Sequence, residues 1–210
     1  MSIKEISTDL STTKFDFEDG ALLGAACKQI IADGVVWMLK TVGDGVDAQG
    51  TADTPKRVAN MYDELLSGYS TDPVELLNGA MFDVEYDEMV VVKDIDFYSL
   101  CEHHLLPFYG KAHVGYLPNQ KVIGLSKIPR MVEMFARRLQ VQERMTQQIA
   151  LTLDELIQPA GIGVVVEAKH LCAAMRGVRK PNTTMTTSAV RGQFKNNPST
   201  REEFFSHVRQ

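Results

Sequence analysis

Apolar and polar residues along this chain follow two different periods, and the change comes near residue 88. Between about residues 20 and 40, Leu23, Cys27, Ile30, Ile31, Gly34 and Met38 recur at helical spacing and predict a first helix, broken by Gly43-Asp44-Gly45. Cys27 lies on that apolar stripe and is expected to be a buried thiol. A second helix is expected to open at Thr54-Pro55, with Thr54 as N-cap and Pro55 in the first helical position, where a missing N–H costs nothing. Val58, Met61, Tyr62, Leu65 and Leu66 form its inward stripe, and Ser67-Gly68 ends it.

After residue 88, Met89–Phe97 is rich in valine and reads as a strand, with Tyr109–Leu117 as its hairpin partner. Residues 126–139 then form an amphipathic helix with Ile128, Met131, Val132, Phe135 and Leu139 on one face. A second helix covers about 141–157, with Met145, Ile149, Leu153 and Leu156 inward, and Pro159-Ala160-Gly161 stops it. Gly163–Ala173 and Thr184–Phe194 read as strands, and a short helix follows near 200–208. The order ββααββ predicts an α+β fold, with two helices laid across an antiparallel sheet. The expected organisation is a loose tail over 1–18, a helical region over 19–85 and the sheet domain over 86–210.

Composition narrows the class. With 210 residues, 44% hydrophobic and 23% charged, the chain is an ordinary globular one. No apolar run reaches the length needed to span a bilayer. The polar, acidic N-terminus has no signal core, and three cysteines do not make a disulfide framework, so a cytoplasmic location with reduced thiols is expected. The net charge of −5 hides an asymmetry: residues 1–100 carry 7 Lys+Arg against 19 Asp+Glu, and residues 101–210 carry 15 against 8. A locally basic second half suits a phosphorylated substrate, or alternatively a surface that meets the acidic half of another copy. There is no basic run with interleaved aromatics, which argues against nucleic-acid binding.

Two of the three cysteines and three of the five histidines fall in Cys101-Glu102-His103-His104 and His170-Leu171-Cys172. The spacing C-x-x-H lets one tight turn offer Cys101 and His104 to a single ion, and Cys172 is the remaining soft ligand. That set leaves a tetrahedral position open for water, as in a catalytic zinc site, and leaves His103 and His170 free to move protons. On a continuous strand His170 and Cys172 share a face, with Ala174 and Arg176 following. A closed Cys2His2 structural zinc is the plainer reading, but it leaves a histidine unexplained. His113 and His207 are expected in structural or surface roles.

Two helix starts carry cations where the macrodipole prefers anions: Lys56 and Arg57 after Thr54-Pro55, and Lys127 and Arg130 after Ser126. A bound polyphosphate resolves that conflict, although exposed cations also tolerate a small dipole penalty. Gln142-Glu143 opens the next helix. Glu143 either compensates the dipole there or accepts N–H bonds from a purine, and sequence physics leaves both open.

The segments SLCEHHLLPFYGKAHVGYLP, VIGLSKIPRMVEMFARRLQVQERMTQQIA, HLCAAMRGV and TPKRVANMYDELLSGY, spread over about residues 20–208, resemble zinc-dependent GTP cyclohydrolase I. The resemblance implies a T-fold and a toroidal homodecamer with active sites between subunits. It also implies one Zn2+ per subunit on Cys101, His104 and Cys172, and catalytic histidines at His103 and His170. Substrate contacts are implied at Arg57, Ser126, Lys127, Arg130, Gln142, Glu143 and Arg176. The implied reaction opens the guanine imidazole ring of GTP, releases formate and gives 7,8-dihydroneopterin triphosphate, the first step of folate or pterin biosynthesis. Two rivals are a T-fold nitrile reductase of queuosine synthesis and a zinc-stabilised interaction protein without turnover. The first does not need Cys101, His104 and Cys172 together, and the second does not need His103 and His170.

Overall fold

The computed structural model describes residues 23–209, so the expected 1–18 tail lies outside the described residues. The chain divides into two compact units between Asp63 and Glu64.

The first unit is helical. It holds α1 (Ala25–Val42), the short α2 (Ala48–Thr51) and the start of α3 (Thr54–Leu65). The Lys28 ammonium, 2.7 Å from the Asp63 carboxylate, ties α1 to α3 and holds the Asp63 carboxyl below its ordinary value. The expected α1 stripe is present, but among the described residues none of its side chains is fully buried, and Cys27 is only half-buried. The first α3 hydrogen bond runs from the Arg57 N–H to the Asp53 carbonyl at 3.0 Å, so Thr54 is already helical and not the cap. Along α3 Ala59 is fully buried and Val58, Tyr62, Leu65 and Leu66 of the expected stripe are half-buried, while Met61 is exposed.

The second unit opens with a single 3-10 turn, Ser67–Tyr69, and α4 (Pro73–Leu77), capped by Asp72, which accepts from the Val74 and Glu75 N–H groups. Residues 64–85 cluster here because β1 (Met81–Asp83) pairs with β4 (Lys121–Ile123) and α4 packs on α5 (Lys127–Ala136). The main sheet also contains β2 (Val90–Cys101), β3 (Pro107–Leu117), β5 (Leu139–Gln140), β6 (Gly161–His170) and β7 (Met185–Gly192). Its order is β5-β2-β3-β6-β7, antiparallel except where β5 joins β2. α5 and α6 (Gln142–Ile157) cover one face, as predicted. Met131, Phe135, Met145, Ile149 and Leu153 pack there with Phe97, Phe108, Val114 and Val164. Burying such side chains contributes about 1.5–3 kcal/mol each.

Part of the opposite face is covered by α8 (Gln193–Asn196) and α9 (Pro198–Arg209), through Phe194 and Phe204. Phe204 seats over Gly115 and Gly163, which face each other across β3 and β6; a Cβ on either would run into its ring. The four-stranded antiparallel part with two helices on one face is the α+β arrangement that the element order predicted, and it agrees with the T-fold that the family resemblance implies. One element departs from expectation. β6 stops at His170, and Leu171–Ala174 forms a single helical turn, α7. Leu and Ala are strong helix formers, and no strand partner faces them, so His170 and Cys172 do not share a strand face.

His113 is structural, as expected. Its Nδ1 accepts the Asp94 N–H at 3.2 Å, at a bulge in β2 where Asp94 takes a left-handed φ of 58°. Burial pushes the imidazole below its usual 6.5, against the carboxylates of Asp94 and Glu167 and with the cations of Lys111 and Lys93. Below pH 6.5 the unfolded chain therefore takes up a proton that the folded chain resists, and stability falls as pH drops through that window. His113→Gln, which keeps an acceptor for Asp94, is expected to flatten this slope in denaturant unfolding between pH 7 and 5. An unchanged slope would assign the acid sensitivity elsewhere.

Ser67-Gly68 is expected to end the second helix, but α3 already stops at Leu65 and Gly68 sits inside the 3-10 turn that follows, where close backbone approach is the reason for glycine. Its N–H donates to the Arg137 carbonyl at 3.0 Å, and a Cβ would collide with the Met134 carbonyl oxygen. Gly68→Ala is expected to cost about 1–3 kcal/mol in denaturant unfolding. A wild-type midpoint would mean that the backbones can part at no cost.

Candidate active site

β2 ends where the Cys101 N–H donates to the Leu106 carbonyl at 2.9 Å. The Cys101 carbonyl accepts from the His104 and Leu105 N–H groups at 3.3 and 2.8 Å, and Leu105, at φ 53°, closes the turn. This single turn brings Cys101 Sγ within 3.7 Å of His104 Nδ1. Cys172 arrives from α7, and the ligand atoms of Cys101, His104 and Cys172 all lie within 4.8 Å of one another. Cys101 is buried, Cys172 half-buried and His104 exposed, so the cluster opens to solvent on the histidine side. Two thiols and an imidazole form a donor set that fits a zinc-like ion with one position left over. Burial, with the Cys101 sulfur adding to it, pushes the Cys172 thiol up, so loading a metal must release its proton. His103 is exposed, its Nδ1 4.0 Å from Cys101 Sγ, and its ring meets His104 edge-on.

The turn is braced from behind. β5 pairs with the last residues of β2, Leu139 beside Leu100 and Gln140 beside Cys101, and the Glu102 N–H donates to the Gln140 carbonyl at 3.0 Å. Arg144, at the start of α6, then forks onto the Glu102 carboxylate. Its Nε donates to Gln140 Oε1 at 3.2 Å, and one terminal nitrogen also donates to the Leu139 carbonyl at 3.2 Å. The guanidinium holds the Glu102 carboxyl below the usual carboxylate range. Sequence reading passed over both residues: Glu102 sits inside the metal motif, but its partner depends on the non-local β2–β5 pairing.

His170, the last residue of β6, lies flat on Phe108, with ring centroids 4.7 Å apart and planes 1° from parallel. Its Nε2 is 2.8 Å from Gln142 Oε1. Burial pushes its imidazole down, with the Glu143 carboxylate acting the other way, so the ring is neutral at neutral pH. Gln142, expected among the substrate contacts, is fully buried. The two hydrogens of its amide nitrogen are shared among the Val166 and Met185 carbonyls at 3.0 and 2.9 Å and Thr187 Oγ1 at 3.1 Å. A buried amide needs partners, and this one finds all of them inside the fold, so it serves His170 and leaves no atom for a ligand.

The other expected contacts fall in separate places. Glu143 and Arg176 are exposed beside the cluster, and their charges act on His170 and Cys172 respectively. Ser126, Lys127 and Arg130 gather at the start of α5, where the Ser126 side chain makes no capping bond among the described residues. Lys127 Nζ donates to the Leu76 carbonyl at 2.9 Å. Arg130 lines a cleft of about 210 Å³ with Ser67, Thr71, Glu133 and Arg137. Arg57 belongs to the helical unit, exposed and 3.7 Å from Asp53.

An antiparallel sheet with two helices on one face, ending in a Cys-His-Cys cluster beside two further histidines, is the layout of a metal-dependent α+β enzyme. A family model described as GTP cyclohydrolase I matches residues 31–209, and the chain belongs to that family. It is 58% identical over 176 residues to "GTP cyclohydrolase 1" of Campylobacter jejuni subsp. jejuni serotype O:23/36 (strain 81-176), covering 84% of this chain and 93% of that one. The protein of the same name from Leptospira biflexa serovar Patoc is 55% identical over 172 residues, 82% of this chain and 94% of that one. The one from Gloeobacter violaceus is 56% identical over 176 residues, 84% of this chain and 82% of that one.

Arg144→Gln and Glu102→Gln are each expected to weaken zinc binding about tenfold, at the lower end of what outer partners of metal ligands contribute. The double variant should lose little more than either single one. Competition against a chromogenic chelator measures this, and fully additive losses would separate the two side chains.

Proposed function

We propose that this chain catalyses the GTP cyclohydrolase I reaction, the hydrolytic opening of the guanine imidazole ring of GTP. The products are formate and 7,8-dihydroneopterin triphosphate, and the reaction is the entry to folate or pterin biosynthesis. The observation that carries the reading is the convergence of Cys101, His104 and Cys172 within 4.8 Å near His170, whose imidazole burial pushes down. Those three residues would hold one Zn2+ per subunit, which supplies Lewis acidity and lowers the pKa of water.

The protein's own groups have separate tasks. His170 and the exposed His103 move protons as the ring opens. Glu143, exposed at the α6 start, accepts N–H bonds from the purine. Lys127, Arg130, Arg176 and Arg57 hold the triphosphate, and Ser126 meets the ribose. Gln142 is left out of this set because it has no exposed surface.

The family resemblance implies a toroidal decamer with active sites between subunits, and the proposal includes it. That assembly also gives a use to Ile30, Trp37, Met38 and Val42, all exposed on α1. Reduced thiols and the absence of a long apolar helix among the described residues accord with a cytoplasmic enzyme. The nitrile-reductase reading is not favoured by a family match over residues 31–209.

Incubation of the purified protein with GTP should yield formate and a pterin chromophore, and a chelator should stop both. His170→Ala is expected to lower turnover by about 10²–10⁴-fold with zinc content near wild type. Cys172→Ser is expected to lose metal and activity together. No formate from zinc-loaded wild type would overturn the proposal, and zinc loss in His170→Ala would make His170 a ligand.

A further inference from the structure

Behind His170 the hydrogen bonds of one amide fix where the proton lies. The Gln142 amide nitrogen faces the Val166 and Met185 carbonyl oxygens at 3.0 and 2.9 Å, and carbonyl oxygens only accept, so its two hydrogens are directed there. Thr187 Oγ1, 3.1 Å away, shares one of them as a third acceptor: Thr146 Oγ1 spends its only proton on the Gln142 carbonyl at 2.8 Å, so the proton between the two hydroxyls, 2.7 Å apart, belongs to Thr187. Turning the amide over would set its oxygen against two carbonyl oxygens. Gln142 Oε1 therefore points at His170, and an amide oxygen cannot donate. The proton in the 2.8 Å contact must sit on His170 Nε2.

We propose that Gln142 is a positioning residue that holds His170 as the Nε2–H tautomer, leaving Nδ1 as the ring nitrogen that exchanges a proton with substrate. The Phe108 stack fixes the ring plane, and the amide, turned by the two carbonyls, fixes which nitrogen is bare. Gln142 sits on α6 and the carbonyls on β6 and β7, so the packing of helix on sheet is what sets the tautomer. The kinetic part of this inference rests on the reading of His170 as a proton-transfer group; the tautomer itself does not.

The test uses zinc-loaded, full-length protein with 15N-labelled histidine in sedimented-sample solid-state NMR, the His170 signals being assigned by difference from His170→Ala. Wild type should give a protonated Nε2 and a bare Nδ1 at His170. Gln142→Met, scored for folding by thermal melting, should mix the tautomers and lower kcat about ten- to a hundredfold, part of the roughly 10²–10⁴-fold that a positioned acid–base group contributes, with KM for GTP and zinc content near wild type. Thr187→Val leaves both carbonyls facing the amide nitrogen and should keep the wild-type spectrum. A protonated Nδ1 in wild type, a Gln142→Met protein with wild-type spectrum and kcat, or mixed tautomers in Thr187→Val overturns the proposal. Wild type that fails to turn over GTP overturns the reading of the reaction, and the spectrum still decides the tautomer.

Discussion

Everything at this site depends on the register of β3 against its two neighbours. Leu100 pairs with Pro107 on one side, and Phe108 pairs with His170 on the other. Those two pairings bring the turn after β2 and the turn after β6 to the same end of the sheet, although the chain between them contains four strands and two helices. A slip of one residue would send Phe108 to the opposite face and remove the platform under His170. The slip is blocked by the inward set Phe97, Phe108, Ala112 and Val114, buried under α5 and α6. Outside, it is blocked by Gly115 and Gly163, which must face each other to admit Phe204. Hydrophobic packing thus sets the metal cluster's geometry before any metal arrives.

The polar groups at the site follow from the same packing. Gln140, Gln142 and Thr146 are buried polar residues at the junction of β5 and α6, and no buried side-chain nitrogen or oxygen among the described residues lacks a partner. Satisfying them costs freedom: each bond made inward by Gln140 or Gln142 removes an orientation the side chain might take. Gln140 gives its amide nitrogen to the Phe135 carbonyl and Gln148, so its oxygen is free for Arg144, which then reaches Glu102. Gln142 gives its nitrogen to the sheet, so its oxygen is free for His170. Two glutamines on either side of Val141 act as one-way connectors, one toward the Cys101–Leu105 turn and one toward His170. A half-satisfied version of this network would be worse than an apolar one, so its completeness matters more than any single bond.

Legibility in the sequence tracked locality. The nearness of Cys101 and His104 was readable because C-x-x-H is a property of one turn, and the turn at Cys101–Leu105 is held by its own backbone; Cys172 joins them through the non-local pairing of β3 with β6. The sheet-and-helix order was readable because the periods are local too. The shared strand face of His170 and Cys172 was misread: period-2 reasoning ran on through Leu171-Cys172-Ala173-Ala174, where β6 had lost its partner and helix propensity took over. The α3 cap was misread by one residue, since Asp53 and Thr54 are both good caps and the choice lies in backbone geometry. Gln142 was read as a ligand contact from the family pattern. Its burial is decided by β6 and β7, strands that come later in the chain and carry no signal in the residues around it. Glu102 and Arg144 were missed for the same reason.

The two cationic helix starts looked equivalent in the sequence, and the structure separates them. At α3, Asp53 immediately precedes the helix and stands 3.7 Å from Arg57, so a carboxylate already occupies the position that the macrodipole favours. At α5 the first turn holds no acidic residue, Ser126 offers no capping bond, and Arg130 is exposed over its cleft. Lys127 is drawn instead to the carbonyl end of α4, where Leu76 accepts its proton; that bond is a substitute that an arriving phosphate oxygen can outbid, because a charged acceptor binds an ammonium more strongly than a carbonyl does. The unmet electrostatic demand of the chain is therefore concentrated at α5, and an anion that meets it there removes an opposition to the helix dipole that α3 has already relieved within its own turn.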